Sequence, residues 1–188
     1  DQYQTRLNLD GSLIFRPLEG LMLKGNASYY RSDFEDEYFE KSHFFAQNRN
    51  AYTNQNIGQT RQLEAIASYN TKIGGSHDIS FMAGISDLFI SSRELSLRAD
   101  GGATDIIPTL NAAPNKINAS SVKTEESLIG MFGRIGYIYE GKYLFQASLR
   151  RDGSSKFGAG KKWGYFPAVS AGWIVSEEPF MKDRKSVV

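Results

Sequence analysis

The residues in this chain that could do chemistry are spaced in ways that exclude most of it. Gly158-Ala159-Gly160-Lys161 has the composition of a phosphate-cradling loop. Such a loop needs Gly five residues before its second Gly and a hydroxyl after the Lys. Ser155 and Lys162 occupy those places, so a flexible hairpin loop is the reading. Asp33, Glu35, Asp36, Glu37 and Glu40 offer oxygens that suit a hard cation. They lack the spacing and the Gly of a calcium loop and read as a solvated segment. His43 and His77 have no second histidine at ligand spacing. With no cysteine there is no thiol nucleophile, thiolate metal site or disulfide. No Gly-x-Ser-x-Gly elbow or recognisable glycosidase carboxylate pair is present. No enzyme, cofactor or metal is expected.

Recognition by aromatic rings is the remaining option. Tyr38, Phe39, Phe44, Phe45 and Tyr52 lie among Asn and Gln. Ring faces stack on sugars and pack on peptide side chains, which makes these five candidate substrate or partner contacts. Packing within a loop cluster is the competing reading. The net charge of +1 gives no argument for nucleic acid as a partner.

The elements that would position these residues are strands. Leu7, Leu9, Gly11, Leu13 and Phe15 alternate with Arg6, Asn8, Asp10, Ser12 and Arg16. Leu21, Leu23, Gly25, Ala27 and Tyr29 form the next apolar row, then Leu63, Ala65, Ala67, Tyr69 and Ile73. Ile79, Phe81, Ala83 and Ile85 follow, and after them Ile129, Met131, Ile135, Tyr137 and Tyr139. Tyr143, Phe145, Ala147 and Leu149 form a sixth row, and Trp163, Tyr165, Val169, Ala171, Trp173 and Val175 a seventh. A period of two describes strands with one apolar face. No apolar run reaches the eighteen residues of a transmembrane helix. The negative mean hydropathy is compatible with strands that hide their apolar face in alternation.

The connections alternate short and long. Tight turns are expected at Pro17-Leu18-Glu19-Gly20, Gly74-Gly75-Ser76-His77 and Glu140-Gly141-Lys142, and long polar loops over 36–58 and 100–121. Membrane barrels have this signature, with short periplasmic turns and long outer loops. Arg31, Asp87, Lys123, Glu125 and Arg151 fall on the apolar parity only toward the long-loop ends. A lipid-facing charge costs about 2–4 kcal/mol at the midplane and little at the interface. The expected fold is therefore all-β, an antiparallel transmembrane β-barrel segment of about seven strands. Seven cannot close a single-chain bacterial barrel, whereas plugged transporters use about 22. Residues 1–188 are expected to be part of a barrel domain, with a signal peptide absent.

Odd-numbered side chains are expected to meet lipid. Phe15, Tyr29, Tyr69, Tyr137, Tyr139, Tyr143, Tyr165 and Trp173 are the expected interface aromatics. Arg6, Asp10, Lys24, Glu64, Lys72, Arg134 and Gln146, on the other parity, should line the lumen or meet the plug.

The run Tyr143-Leu144-Phe145-Gln146-Ala147-Ser148-Leu149-Arg150-Arg151-Asp152-Gly153-Ser154-Ser155-Lys156-Phe157-Gly158 leads to Trp163-Gly164-Tyr165-Phe166-Pro167-Ala168-Val169-Ser170-Ala171-Gly172-Trp173 and closes on Ser176-Glu177-Glu178-Pro179-Phe180-Met181. It resembles the SusC/RagA-type TonB-dependent outer-membrane transporters, closely over the last quarter of the chain and elsewhere only in pattern. Lys156 departs from the family's Arg, keeping the charge and losing the planar fork. The resemblance implies a bacterial outer-membrane location and TonB-driven import of oligosaccharides or peptides. It further implies a SusD-like surface lipoprotein as a lid and a TonB complex engaged through a plug, with the plug and the TonB-contacting segment expected to be absent from residues 1–188. A passive porin wall and a soluble β-sandwich carbohydrate-binding module are the rival readings. The sandwich would bury the apolar parity against a second sheet.

Overall fold

The computed structural model describes residues 1–45, 49–158 and 160–182. It contains one seven-stranded sheet in sequential order. The strands are β1 (Gln2–Leu18), β2 (Leu21–Glu40), β3 (Asn50–Ile73), β4 (His77–Asp100), β5 (Asn115–Tyr139), β6 (Tyr143–Ser154) and β7 (Trp163–Trp173). A 3-10 turn (Val175–Glu177) and one short helix, α1 (Pro179–Lys182), follow β7.

Register is carried by the turns. Glu140 and Gly141 both take positive φ, 49° and 69°, which closes a three-residue link and sets Tyr139 opposite Tyr143. From there β5 and β6 pair residue for residue to Leu128 and Ser154, and β6 meets β7 from Tyr143↔Trp173 to Gly153↔Trp163. Gly20 turns β1 into β2 at φ 79°. A Cβ there would lie 2.2 Å from the Asn70 carbonyl oxygen, so the position also needs the missing side chain.

Two compact units divide the strands. The first comprises Asp1–Asp10, Ser28–Arg61 and Phe89–Glu126. The second comprises Gly11–Ala27, Gln62–Leu88 and Ser127–Val188, and holds every short turn. Within each, cross-strand contacts join residues of like parity. In the second, Asn26 meets Glu64, Lys72 meets Asp78, and Phe132 lies against Gly84. In the first, Tyr38 meets Tyr52, Asn50 meets Glu40, and Arg61 lies over Phe89. Within each unit, odd-numbered residues therefore share one face of the sheet and even-numbered residues the other.

No second layer covers either face among the described residues. The only buried apolar side chains there are Ala51, Ala99 and Ala113. Leu13 is 74% exposed and Val169 71%, and Phe81, Ile135 and Trp173 are about half exposed. A sandwich core would have enclosed these residues, so the β-sandwich reading fails.

The long loops are shorter than their composition suggests. Ladder pairing carries β2 to Glu40 and restarts at Asn50, and β5 begins at Asn115, so among the described residues 41–45, Arg49 and 101–114 lie outside the seven strands. Polar and aromatic cross-strand pairs hold these extensions where no apolar row exists, so alternation could not reveal them. At its other end β1 starts at Gln2 rather than near Leu7, and β7 stops at Trp173 before Val175.

Candidate functional site

The first unit presents the aromatic candidates. Tyr38 and Tyr52, facing one another across β2 and β3, stack with ring centres 5.3 Å apart and planes at 27°. The Tyr52 hydroxyl donates to Asp36 at 3.0 Å, and Asn50 Nδ2 donates to Glu40 at 2.6 Å. Phe39 takes the opposite parity and stands apart from this stack. In the loop beyond β2, Phe44 and Phe45 make an edge-to-face pair at 5.0 Å, 88% and 90% exposed. The five residues thus form two separate aromatic pairs and a single ring. Tyr29 also belongs to this unit, on β2.

What orders this loop is a tie that no sequence pattern marks. Asp105 accepts hydrogen bonds from the Ser42 amide (2.8 Å), the Ser42 hydroxyl (2.8 Å) and Arg49 Nε (2.7 Å). Arg49 Nη1 also donates to the Gly102 carbonyl at 3.1 Å. The Arg49 guanidinium, then the Ser42 donors, hold the Asp105 carboxyl well below the usual carboxylate range. Fifty-six residues separate Arg49 from Asp105.

The even-numbered face carries polar pairs in both units. In the first, Arg6 donates to Gln4 at 3.1 Å and Asp10 accepts from Asn8 at 2.7 Å. In the second, Asn26 donates to Glu64 at 2.7 Å, Lys72 pairs with Asp78 at 3.4 Å, and Arg134 reaches the Met82 sulfur at 3.5 Å. Lys24 shares this parity. Gln146, Lys72 and Asp78 help line a concavity of about 1110 Å³. Farther along, Arg150 Nε sits 2.8 Å from both Asp152 oxygens, with its guanidinium 5.9 Å from the Phe132 ring centre. Phe132 lies over Gly84, where an added Cβ would fall 2.4 Å from the ring.

The odd-numbered face of the second unit carries aromatics at two levels. Near the short turns a row of rings crosses four strands. His77 lies 5.0 Å from Tyr139, Tyr139 lies 6.2 Å from Tyr143, and Tyr143 lies 6.3 Å from Trp173. Tyr137 joins through its hydroxyl, 2.8 Å from His77 Nδ1. Tyr69 packs beside Gly20, and Phe15 lies along an apolar trough with Leu13 and Leu23. At the far end of β7, Tyr165 and Trp163 flank Arg151, whose guanidinium is 5.4 Å and 4.1 Å from the two ring centres.

Glu178 closes the lower row. Its Oε1 accepts from the Tyr143 hydroxyl (2.6 Å) and Trp173 Nε1 (3.1 Å), and Lys142 stands 3.6 Å from Oε2. The Tyr143 bond and then the Trp173 bond lower the Glu178 pKa, with Lys142 adding to the effect. Sequence patterning placed Trp163 on the seventh apolar row without counting it among the interface aromatics, and it missed His77 and Glu178. Parity alone would have placed His77, whereas Glu178 lies outside any strand.

The chain matches no model of a known protein family. It is 39% identical over 123 residues to TonB-dependent receptor P39 of Formosa agariphila, covering 64% of this chain and 12% of that protein. TonB-dependent receptor SusC of Bacteroides thetaiotaomicron is 43% identical over 60 residues, 32% of this chain and 6% of that one. In fold, the chain superposes on the RagAB peptide transporter with a TM-score of 0.87 at 16% identity, covering 96% of this chain and 21% of that chain. A closed-closed state of the RagAB peptide importer gives a TM-score of 0.90 at 16% identity, over 95% of this chain and 20% of that one. The chain therefore spans about an eighth of the P39 receptor's length.

Proposed function

We propose, from the premise that this chain is a sector of the outer-membrane β-barrel of a SusC/RagA-type TonB-dependent transporter, that it forms lipid-facing wall and lumen lining for nutrient import. The observation that carries this reading is the odd-numbered face. In the second unit it is apolar, uncovered and bounded by aromatics at two levels, as a lipid-exposed wall is. The even-numbered face, with Glu64, Lys72, Arg134 and Gln146, lines the lumen or meets a plug supplied by the rest of the protein. That the chain spans only a small share of its relatives supports placing the plug and the remaining strands elsewhere in a longer polypeptide.

The cargo is an oligosaccharide or a peptide, gathered under a SusD-like lipoprotein lid and released inward by TonB. The name of the RagAB transporter favours the peptide arm. Tyr38 and Tyr52 offer a stacked platform on the lumen parity, and Phe44 and Phe45 an exposed pair that a lid could cover. The test is uptake by cells carrying the full-length protein, with and without TonB. Import should stop when TonB is removed. Undiminished, non-saturating uptake would instead mark a passive pore.

A further inference from the structure

We infer that the cargo met by the first unit is a neutral oligosaccharide, and that Tyr38 is the ring on which one of its sugars stacks. This deepens the proposed reading and rests on it, because the even-numbered face must line the lumen. Tyr38 has one ring face laid against Tyr52, 5.3 Å away, and about half of its surface open. Asp36 holds the Tyr52 hydroxyl, and Glu40 holds the Asn50 amide. The platform is therefore fixed before a ligand arrives, which spares the cost of ordering it.

The groups around the ring are planar, polar and rich in acceptors. Asp36 and Glu40 stand two residues to either side of Tyr38 on the same face of β2. Each accepts through one oxygen from a neutral donor, and among the described residues neither makes an ion pair. Because Tyr38 meets Tyr52 and Glu40 meets Asn50, the pairing runs antiparallel and sets Asn54 opposite Asp36. A carboxylate accepts from adjacent hydroxyls, and a carboxamide donates and accepts side by side, as a vicinal diol does. A ring for the C–H face of a sugar, with such groups at its edge, matches a polyhydroxylated ligand.

Two other cargoes fit worse. An acidic glycan would bring its charges against Asp36 and Glu40, and Arg98, the even-numbered cation of β4, offers one charge against two. A peptide bound as an added strand needs an open sheet edge, whereas β2 and β3 are interior strands of the sheet. The wall chemistry thus parts from the cargo named for the RagAB neighbour.

The experiment uses the full-length transporter in detergent on an array carrying neutral oligosaccharides, uronic-acid oligosaccharides and mixed-sequence peptides. The parent should bind neutral oligosaccharides best. Tyr38→Ala should weaken that binding by about tenfold, and Tyr38→Trp should retain it. Asp36→Asn with Glu40→Gln should raise binding of the uronic-acid set by about fivefold, a charge effect that a merely structural role would not produce. A parent that prefers peptides or uronic acids, or binds no neutral oligosaccharide, would overturn the proposal. So would neutral binding unchanged in Tyr38→Ala, or uronic-acid binding unchanged in the double variant. Asn54→Cys in the full-length protein on whole cells separates the two ideas. If a water-soluble maleimide labels it while the array favours peptides, only the sugar site falls and the import reading stands. If only a lipid-soluble maleimide labels it, the facing assigned to the sheet falls as well.

Discussion

The two units build the same kind of ladder from different materials. In the second, apolar rows with Gly and Ala run between aromatic levels, and specificity comes from rings laid over glycines: Phe132 on Gly84 and Trp163 on Gly153. In the first, most of the strand length runs beyond the apolar rows, and polar pairs such as Asn50–Glu40 and Tyr52–Asp36 hold it. β5 has 25 residues, which at about 3.4 Å each is roughly 85 Å, while the apolar band of an outer-membrane barrel is about 25 Å tall. On the proposed lipid-facing reading, much of the longer strands stands in water, where hydrophobic contact with lipid cannot order them. Side-chain pairing takes over.

The sharpest way to break this contrast is a single charge. Ile135→Arg, in the apolar row of the second unit, should destabilise the assembled barrel by about 2–4 kcal/mol, read as a lower temperature of conversion to the heat-denatured gel form. Leu97→Arg, on the same parity in the first unit, should cost about 0–1 kcal/mol, and Gln146→Lys, on the polar parity, about as little. Equal losses at Ile135 and Leu97 would erase the distinction between the units.

Overpacking gives the next effect. Gly84→Val and Gly153→Val push a branched side chain into the rings of Phe132 and Trp163, and each should cost about 1–3 kcal/mol by the same assay. Gly25→Val, where a Cβ meets nothing within 4 Å, should be near neutral.

Smaller and local effects should follow from cutting the two carboxylate ties. Asp105→Asn removes the charge that holds Ser42 and Arg49, so amide exchange should quicken at residues 41–45 and 101–106 with no change in global stability. Glu178→Ala should quicken exchange across residues 175–181 and leave the first unit untouched, because it strips the acceptor from Tyr143 and Trp173.

The faintest difference is in pH. Both carboxyls hold their protons less tightly in the folded chain than in the unfolded one. Their stabilisation is therefore complete above the ordinary carboxylate range and fades as pH falls through and below it. Protection factors at both ties, which correct for the intrinsic pH dependence of amide exchange, should stay constant from neutral to mildly acidic pH and fall only in stronger acid. A fall near neutral pH would mean that another group governs them.

Much of this architecture was legible in residue order. Alternation located all seven strands, and Glu140-Gly141-Lys142 was readable as a three-residue turn that keeps Tyr139 and Tyr143 on one face. The loops misled, because Tyr38, Asp36 and Tyr52 look like loop residues until they pair. The contact candidates were legible by type and not by arrangement. Nothing near Phe39 or Phe44 in sequence separates the strand-borne ring from the bare pair in the loop.

Residue order by itself determined the two-faced character of the sheet, the sites of its tight turns and the absence of bulk for an enclosed core. Those depend on neighbours within a few positions, where side-chain direction follows backbone period. Only the tertiary structure decided that Arg49 meets Asp105, that Glu178 caps the Tyr143–Trp173 row, and that Arg151 lies between two rings. Such contacts join segments brought together by strand pairing, and a hydrogen bond depends on distance and angle in space, which local sequence does not encode.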